Sequence, residues 1–159
     1  MQSQARGTER YGLTASAGAR RLRPFSVWIQ NKIEPANWFL NDKDDIRSSF
    51  GLEETATEFD IQGLELDWTI VCWDGDLRYN GSAFEHHAFK GARWTKVGTA
   101  ERQTYLKNAY RVLLTRARQG IVIFVPPGSD EDDTRKHEFY DLTYEYLLSI
   151  GIPEIEERR

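Results

Sequence analysis

The sequence predicts an α/β domain built on a mostly parallel sheet, and three observations carry that expectation. Residues 68–73 and 121–125 are near-continuous apolar runs, the composition of strands covered on both faces. Between them, residues 100–118 set Leu106, Ala109, Tyr110, Leu113 and Ala117 on one face at helical spacing. Strand-like and helix-like segments alternate along the chain, as parallel sheets require.

Taken in order, residues 1–10 are polar and expected to fray. Residues 11–16 read as a first strand, and residues 17–23 as a helical or turn segment stopping before Pro24. A strand is expected over 25–29. Pro35-Ala36-Asn37 breaks the pattern, and Trp38-Phe39-Leu40 is expected to pack under the domain. Residues 41–45 read as an acidic turn, 46–51 as loop, and 55–59 as a short strand entering a turn at Gln62-Gly63. Residues 74–98 form an insertion whose Asn80-Gly81 pair signals a small hairpin. The main helix is expected over 100–118, with Gly120 at its C-cap. Pro126-Pro127-Gly128 closes the following strand. The acidic run 129–133 suits the start of a last helix over about 134–149. The domain is expected to span 11–152, followed by a charged tail over 153–159.

With 159 residues, 40% of them hydrophobic and 29% charged, the chain can bury one core. The net charge of −4 means that a nucleic-acid partner would be held by a local patch. The densest positive cluster is Arg20, Arg21 and Arg23. A solvated helix end explains it as well as phosphate contact does. The single cysteine, Cys72, lies in an apolar run and reads as a buried small residue. Without a disulfide framework or a stretch near the length of a membrane span, a reducing, cytoplasmic setting is expected. The Arg-rich N-terminus has the composition of a transit peptide, which a core strand starting near Tyr11 argues against.

Two segments carry the chemistry. The first runs from Thr57 through Gln62-Gly63-Leu64-Glu65-Leu66-Asp67 into the run at 68–73. The second is Tyr110-Arg111-Val112-Leu113-Leu114-Thr115-Arg116-Ala117-Arg118, which precedes the run at 121–125. In this order they resemble the last two motifs of superfamily-one helicases. Further phrases, Trp38-Phe39-Leu40-Asn41-Asp42, Ile46-Arg47-Ser48-Ser49 and Trp73-Asp74-Gly75-Asp76-Leu77-Arg78, resemble the Schlafen-type (group 3) helicases of bacteria and archaea. The resemblance covers nearly the whole chain. It implies the C-terminal RecA-like domain of a motor, a three-layer α/β unit, into which the hairpin read at Asn80-Gly81 would be inserted.

Residue by residue, the resemblance implies that Glu65 contacts the nucleotide ribose, with Gln62 and Gly63 beside it. Gly63 lets the backbone turn tightly there. It implies a nucleic-acid edge at Thr57, to which the cluster Arg20 and Arg21 adds phosphate-binding charge. It also implies that Arg116 is the arginine finger, at a helix end with its side chain on the open face. A guanidinium suits that role because phosphoryl transfer builds charge on equatorial oxygens. Taken alone, Arg116 would read as a cation complementing a helix C-terminus, and Glu65 as a solvent-facing turn residue. Sites in such sheets are expected at the carboxyl ends of strands.

Two departures limit the resemblance. Phe59 stands where many relatives carry histidine. The 159 residues contain no Gly-x-x-x-x-Gly-Lys-Ser/Thr phosphate loop and no strand ending in Asp-Glu to hold Mg²⁺. ATP and Mg²⁺ are therefore expected only in a complete motor, with an N-terminal RecA-like partner domain and single-stranded DNA or RNA, and neither on this chain alone. The rival class is a non-catalytic nucleic-acid or protein interaction module derived from such a motor. A metal nuclease built from Asp74, Asp76, Glu85, His86 and His87 is a weaker third reading. Adjacent histidines on a strand point to opposite sides, and no metal site is expected. Among five tryptophans, Trp94 is the best candidate for stacking on a base, though core packing is the commoner use.

Overall fold

The computed structural model describes residues 5–29 and 32–155. Four strands, β1 (Tyr11–Ala15), β2 (Thr55–Ala56), β3 (Leu66–Cys72) and β7 (Ala117–Phe124), form a fully parallel sheet in the order β2-β1-β3-β7. Strands β4 (Leu77–Tyr79), β5 (Phe84–Lys90) and β6 (Arg93–Lys96) form a separate antiparallel sheet. The hairpin signalled by Asn80-Gly81 is thus present and gains a third strand. The architecture is α/β, with helices α1 (Pro35–Leu40), α2 (Ala100–Leu114) and α3 (Asp141–Ser149).

Each sheet face buries its own cluster. On one face, Trp38 of α1 and Leu113 of α2 pack on Leu66 and Val71. On the other, Ala15 and Cys72 lie under Ala19, Leu22 and Val27. That covering segment is irregular, with a single 3₁₀ turn at Arg23–Phe25, so the strand expected over 25–29 is absent. Pro24 sits inside this turn and Pro35 at the first turn of α1, where a missing N–H costs nothing. The break read at Pro35 is therefore a helix start, and Trp38 is buried as expected. A third cluster ties Leu147 of α3 to Trp73, Leu77 and Tyr110. Arg10, at the end of the segment expected to fray, donates to the carbonyls of Trp38 and Asn41 and to Ser49 Oγ.

The main correction falls on the motif helix. It ends at Leu114, four residues earlier than expected. Thr115 caps it, its hydroxyl donating to the Arg111 carbonyl at 2.7 Å. From Ala117 onward, pairing with β3 wins over helix continuation. The Leu66 N–H donates to the Arg116 carbonyl at 3.0 Å, and Ala117 faces Leu66. Gly120 is not a C-cap but lies within β7, opposite Trp68. A Cβ there would collide with the Trp68 ring. From Leu66 to Trp68, β3 advances two residues while β7 advances three, from Ala117 to Gly120; this bulge bends β7 beside the motif. The last helix is also shorter than expected: a 3₁₀ turn at His137–Phe139 precedes α3. Of the charged tail expected over 153–159, residues 156–159 lie outside the described residues.

Candidate functional site

The two motif segments meet at one edge of the sheet. Because β3 and β7 are parallel neighbours, Glu65 and Arg116 stand side by side at their amino ends. This departs from the rule that sites collect at carboxyl ends. The turn before Glu65 exists because Gly63 takes φ +81°, a conformation that side chains disfavour. Gln62 and Glu65 are exposed on that turn. Arg116 is half-buried in the connection between α2 and β7, not on the helix. Its Nε is buried and has no hydrogen-bond partner among the described residues. A guanidinium N–H left unpaired inside a protein is costly unless something anionic completes it.

Arg118 lies on β7, not on the helix as the sequence suggested. Its Nη2 sits 3.2 Å from Asp67 Oδ1 and its Nη1 3.9 Å from Glu65 Oε2. Asp67 also accepts the Arg10 N–H at 2.7 Å. Sequence reasoning missed this pairing because it placed Arg118 on a helix. A register shift between Leu66 and Trp68 lies beside Arg118, and Gly120 leaves room there for the Trp68 ring.

The carboxyl edge of the sheet holds a different set. Thr57 follows β2, and both its N–H and its hydroxyl donate to Asp60 Oδ2 at 2.8 Å. Glu58 is buried and accepts the Ala17 N–H at 2.8 Å; burial raises its pKa. A groove of about 350 Å³ opens here, lined by Gly18, Arg20, Phe59, His87, Arg102 and Tyr105 among others. Arg20 is exposed at its rim. Phe59 and Tyr105 lie 6.0 Å apart and are 56% and 53% exposed, an aromatic pair available for stacking. Arg21 is committed elsewhere. Its Nη2 meets Asp132 at 2.8 Å, its Nε donates to Thr134 Oγ1, and its N–H donates to Asp74.

Beneath the groove lies a buried polar network that follows β3. Asp76 Oδ2 accepts the Ser16 hydroxyl at 2.7 Å and Oδ1 the Tyr110 hydroxyl at 2.5 Å; Asp74 Oδ1 accepts the Tyr140 hydroxyl at 2.9 Å. Burial and the neighbouring Asp74 charge push Asp76 up to about 7. His87 is pushed down to about 4, by burial first and then by Arg78. The metal-nuclease residues do not converge. His86 and His87 face different cavities, Glu85 pairs with Lys96 at 2.8 Å, and the two aspartates are enclosed by their donors. Among the described residues, no three His, Cys, Asp or Glu side chains gather as a metal group. Trp94 packs on Phe89 and donates to the Thr134 carbonyl at 2.8 Å, a structural use of the ring. Cys72 is buried, its thiol pushed up to about 12. No helix among the described residues is long and apolar enough to cross a membrane.

No curated protein and no solved structure matches this chain. The family model described as Schlafen group 3, DNA/RNA helicase domain, matches residues 1–127. That span includes the Gln62-Gly63-Leu64-Glu65 turn, the Arg116 connection and all seven strands, and leaves out α3. With four-fifths of its length matched, and with both helicase-like segments meeting at one sheet edge, the chain belongs to the Schlafen group 3 DNA/RNA helicase domain family.

Proposed function

We propose that the chain is the C-terminal RecA-like half of an ATP-dependent DNA or RNA helicase or translocase. In the complete motor, ATP with Mg²⁺ lies between this domain and an N-terminal RecA-like domain carrying the phosphate loop. Glu65 takes the ribose, Gln62 and Gly63 border the nucleotide, and Arg116 reaches the γ-phosphate. The observation that supports this most is the Arg116 Nε, without a hydrogen-bond partner among the described residues, beside Glu65 at the shared edge of β3 and β7. An anionic phosphate is the chemistry that would complete it. The single strand runs across the opposite edge, over Thr57, Arg20 and the Phe59–Tyr105 pair. Arg21 contributes field there rather than contact, since Asp132 and Thr134 hold its guanidinium. The test is ATP turnover in a protein that joins this domain to a phosphate-loop domain, with Arg116→Ala compared against the parent.

A second reading, a non-catalytic interaction module, is favoured by a separate observation. Strand β7 is an edge strand, and a groove of about 390 Å³ runs between it and α3, lined by Ile121, Leu148, Ile152 and Ile155 among others. Exposed apolar edges of this kind recruit partners. If the joined protein fails to turn over ATP although Arg116 and Glu65 are intact, this reading takes precedence.

A further inference from the structure

A cavity of about 570 Å³ lies between α2, the end of β3 and the β4–β5 hairpin, away from both edges described above. Its floor is the rings of Trp73, Phe84 and Tyr110 with Leu77 and Leu114. The polar atoms of these rings point elsewhere. Trp73 Nε1 donates to the Leu77 carbonyl at 2.6 Å, and the Tyr110 hydroxyl donates to Asp76. The floor therefore presents apolar ring surface to the cavity. Its size falls within the range of small-molecule sites, about 300–1,000 Å³.

The rim is of one sign. His86, Lys107 and Arg111 border the opening, and among the described residues no acidic side chain lines it. Lys107 and Arg111 are four residues apart on α2, so their side chains stand together one turn apart. Neither takes part in any ion pair among the described residues. In a chain of net charge −4, two unpaired cations over an aromatic floor select an anion with an apolar body.

We propose that this cavity binds a small amphipathic organic anion, with an aromatic or aliphatic body on the Trp73–Phe84–Tyr110 floor and one anionic head on Lys107 and Arg111. A sugar or a free nucleobase fits poorly, because the floor offers its polar edges no partner and their desolvation goes uncompensated. A cation is repelled at the rim. The site is separate from the nucleotide edge, although Thr115, which lines it, is the residue before Arg116.

The test titrates the purified chain with 8-anilino-1-naphthalenesulfonate, an aromatic anion that fluoresces when desolvated, and displaces it with decanoate or with decyltrimethylammonium. Saturable binding is expected, with displacement by decanoate but not by the cation of matching length. Lys107→Glu with Arg111→Glu should weaken it by about tenfold or more. Both side chains are exposed, so the fold is retained, and circular dichroism checks this. Leu148→Glu, in the groove beside α3, should leave it unchanged. Displacement by the two decyl compounds alike, or unchanged binding in the Lys107/Arg111 variant, overturns the proposal. So does loss of binding in Leu148→Glu, which would move the probe to the other groove.

Discussion

Arg118, not Arg116, is the cation that approaches Glu65, at 3.9 Å, while its other amine meets Asp67 at 3.2 Å. Glu65 and Arg116 are neighbours at the edge of β3 and β7, yet the ion pair there is made by Arg118. Glu65 has a cation in reach, and Arg116 Nε keeps an unmade hydrogen bond among the described residues. Both members of the Arg118–Glu65 pair are about three-fifths exposed, so water and salt weaken it. Arg118→Ala should therefore cost less than about 1 kcal/mol, and the difference should shrink at high salt. Urea unfolding at two ionic strengths measures this; a larger, salt-independent loss would mean that Arg118 is a core element of the edge.

Gly120→Ala should be far more damaging for a single methyl. The added Cβ meets the Trp68 ring, and overpacking of that kind costs about 1–3 kcal/mol. The urea midpoint should fall accordingly. An unchanged midpoint would place the Trp68 ring away from position 120.

Much of this was legible in the sequence. The apolar runs 68–73 and 121–125 located strands Leu66–Cys72 and Ala117–Phe124, although β7 is an edge strand and Ile121 is exposed, and Asn80-Gly81 marked the hairpin. The helix boundary was not legible. Residues 115–118 continue the helical apolar period through Ala117, and only long-range pairing of Ala117 with Leu66 overrides it. The edge at which the site forms was not legible either, since strand order and direction depend on contacts across the whole chain. Arg21 shows the same limit: Arg20 is exposed and in no ion pair among the described residues, whereas Arg21, next to it in sequence, is bound to Asp132, 111 residues away.

That contrast predicts different outcomes for the two arginines. Binding of single-stranded nucleic acid by the isolated chain should be weak and steeply salt-dependent. Arg20→Ala should weaken it across sequences and reduce the salt slope by about one. Arg21→Ala should instead lower stability, by removing the contacts to Asp132 and Thr134. Fluorescence anisotropy across a salt series, with thermal melts of both variants, separates these effects. Reversed roles would place the nucleic-acid edge on the Asp132 side.

Asp76 and His87 should give opposing pH dependences of stability. The folded state holds the Asp76 proton up to about 7 against an ordinary 3.8, so stability falls as pH rises through that window. The folded state keeps His87 neutral down to about 4 against an ordinary 6.5, so stability falls as pH drops through that window. Glu58 and Asp74, raised by burial, share the first sign; His86, lowered by burial, shares the second. Between about 4 and 6.5 the Asp76 and His87 slopes oppose each other. Asp76→Asn should expose a rise with pH, and His87→Gln a fall. Parallel profiles for all three proteins would show that neither group is buried as described.

The most direct test of the central claim is ATP hydrolysis by Arg116→Ala, at saturating ATP and single-stranded nucleic acid, in a protein that contains both RecA-like halves. Arg116 makes no side-chain ion pair among the described residues, so its removal should leave folding and ATP binding intact. Turnover should fall by about 10³–10⁵, the scale of an arginine finger. Arg118→Ala, carried through the same assay, should be the milder change. Near-normal turnover by Arg116→Ala, or unfolding of the domain, would contradict the account and make Arg116 a structural cation.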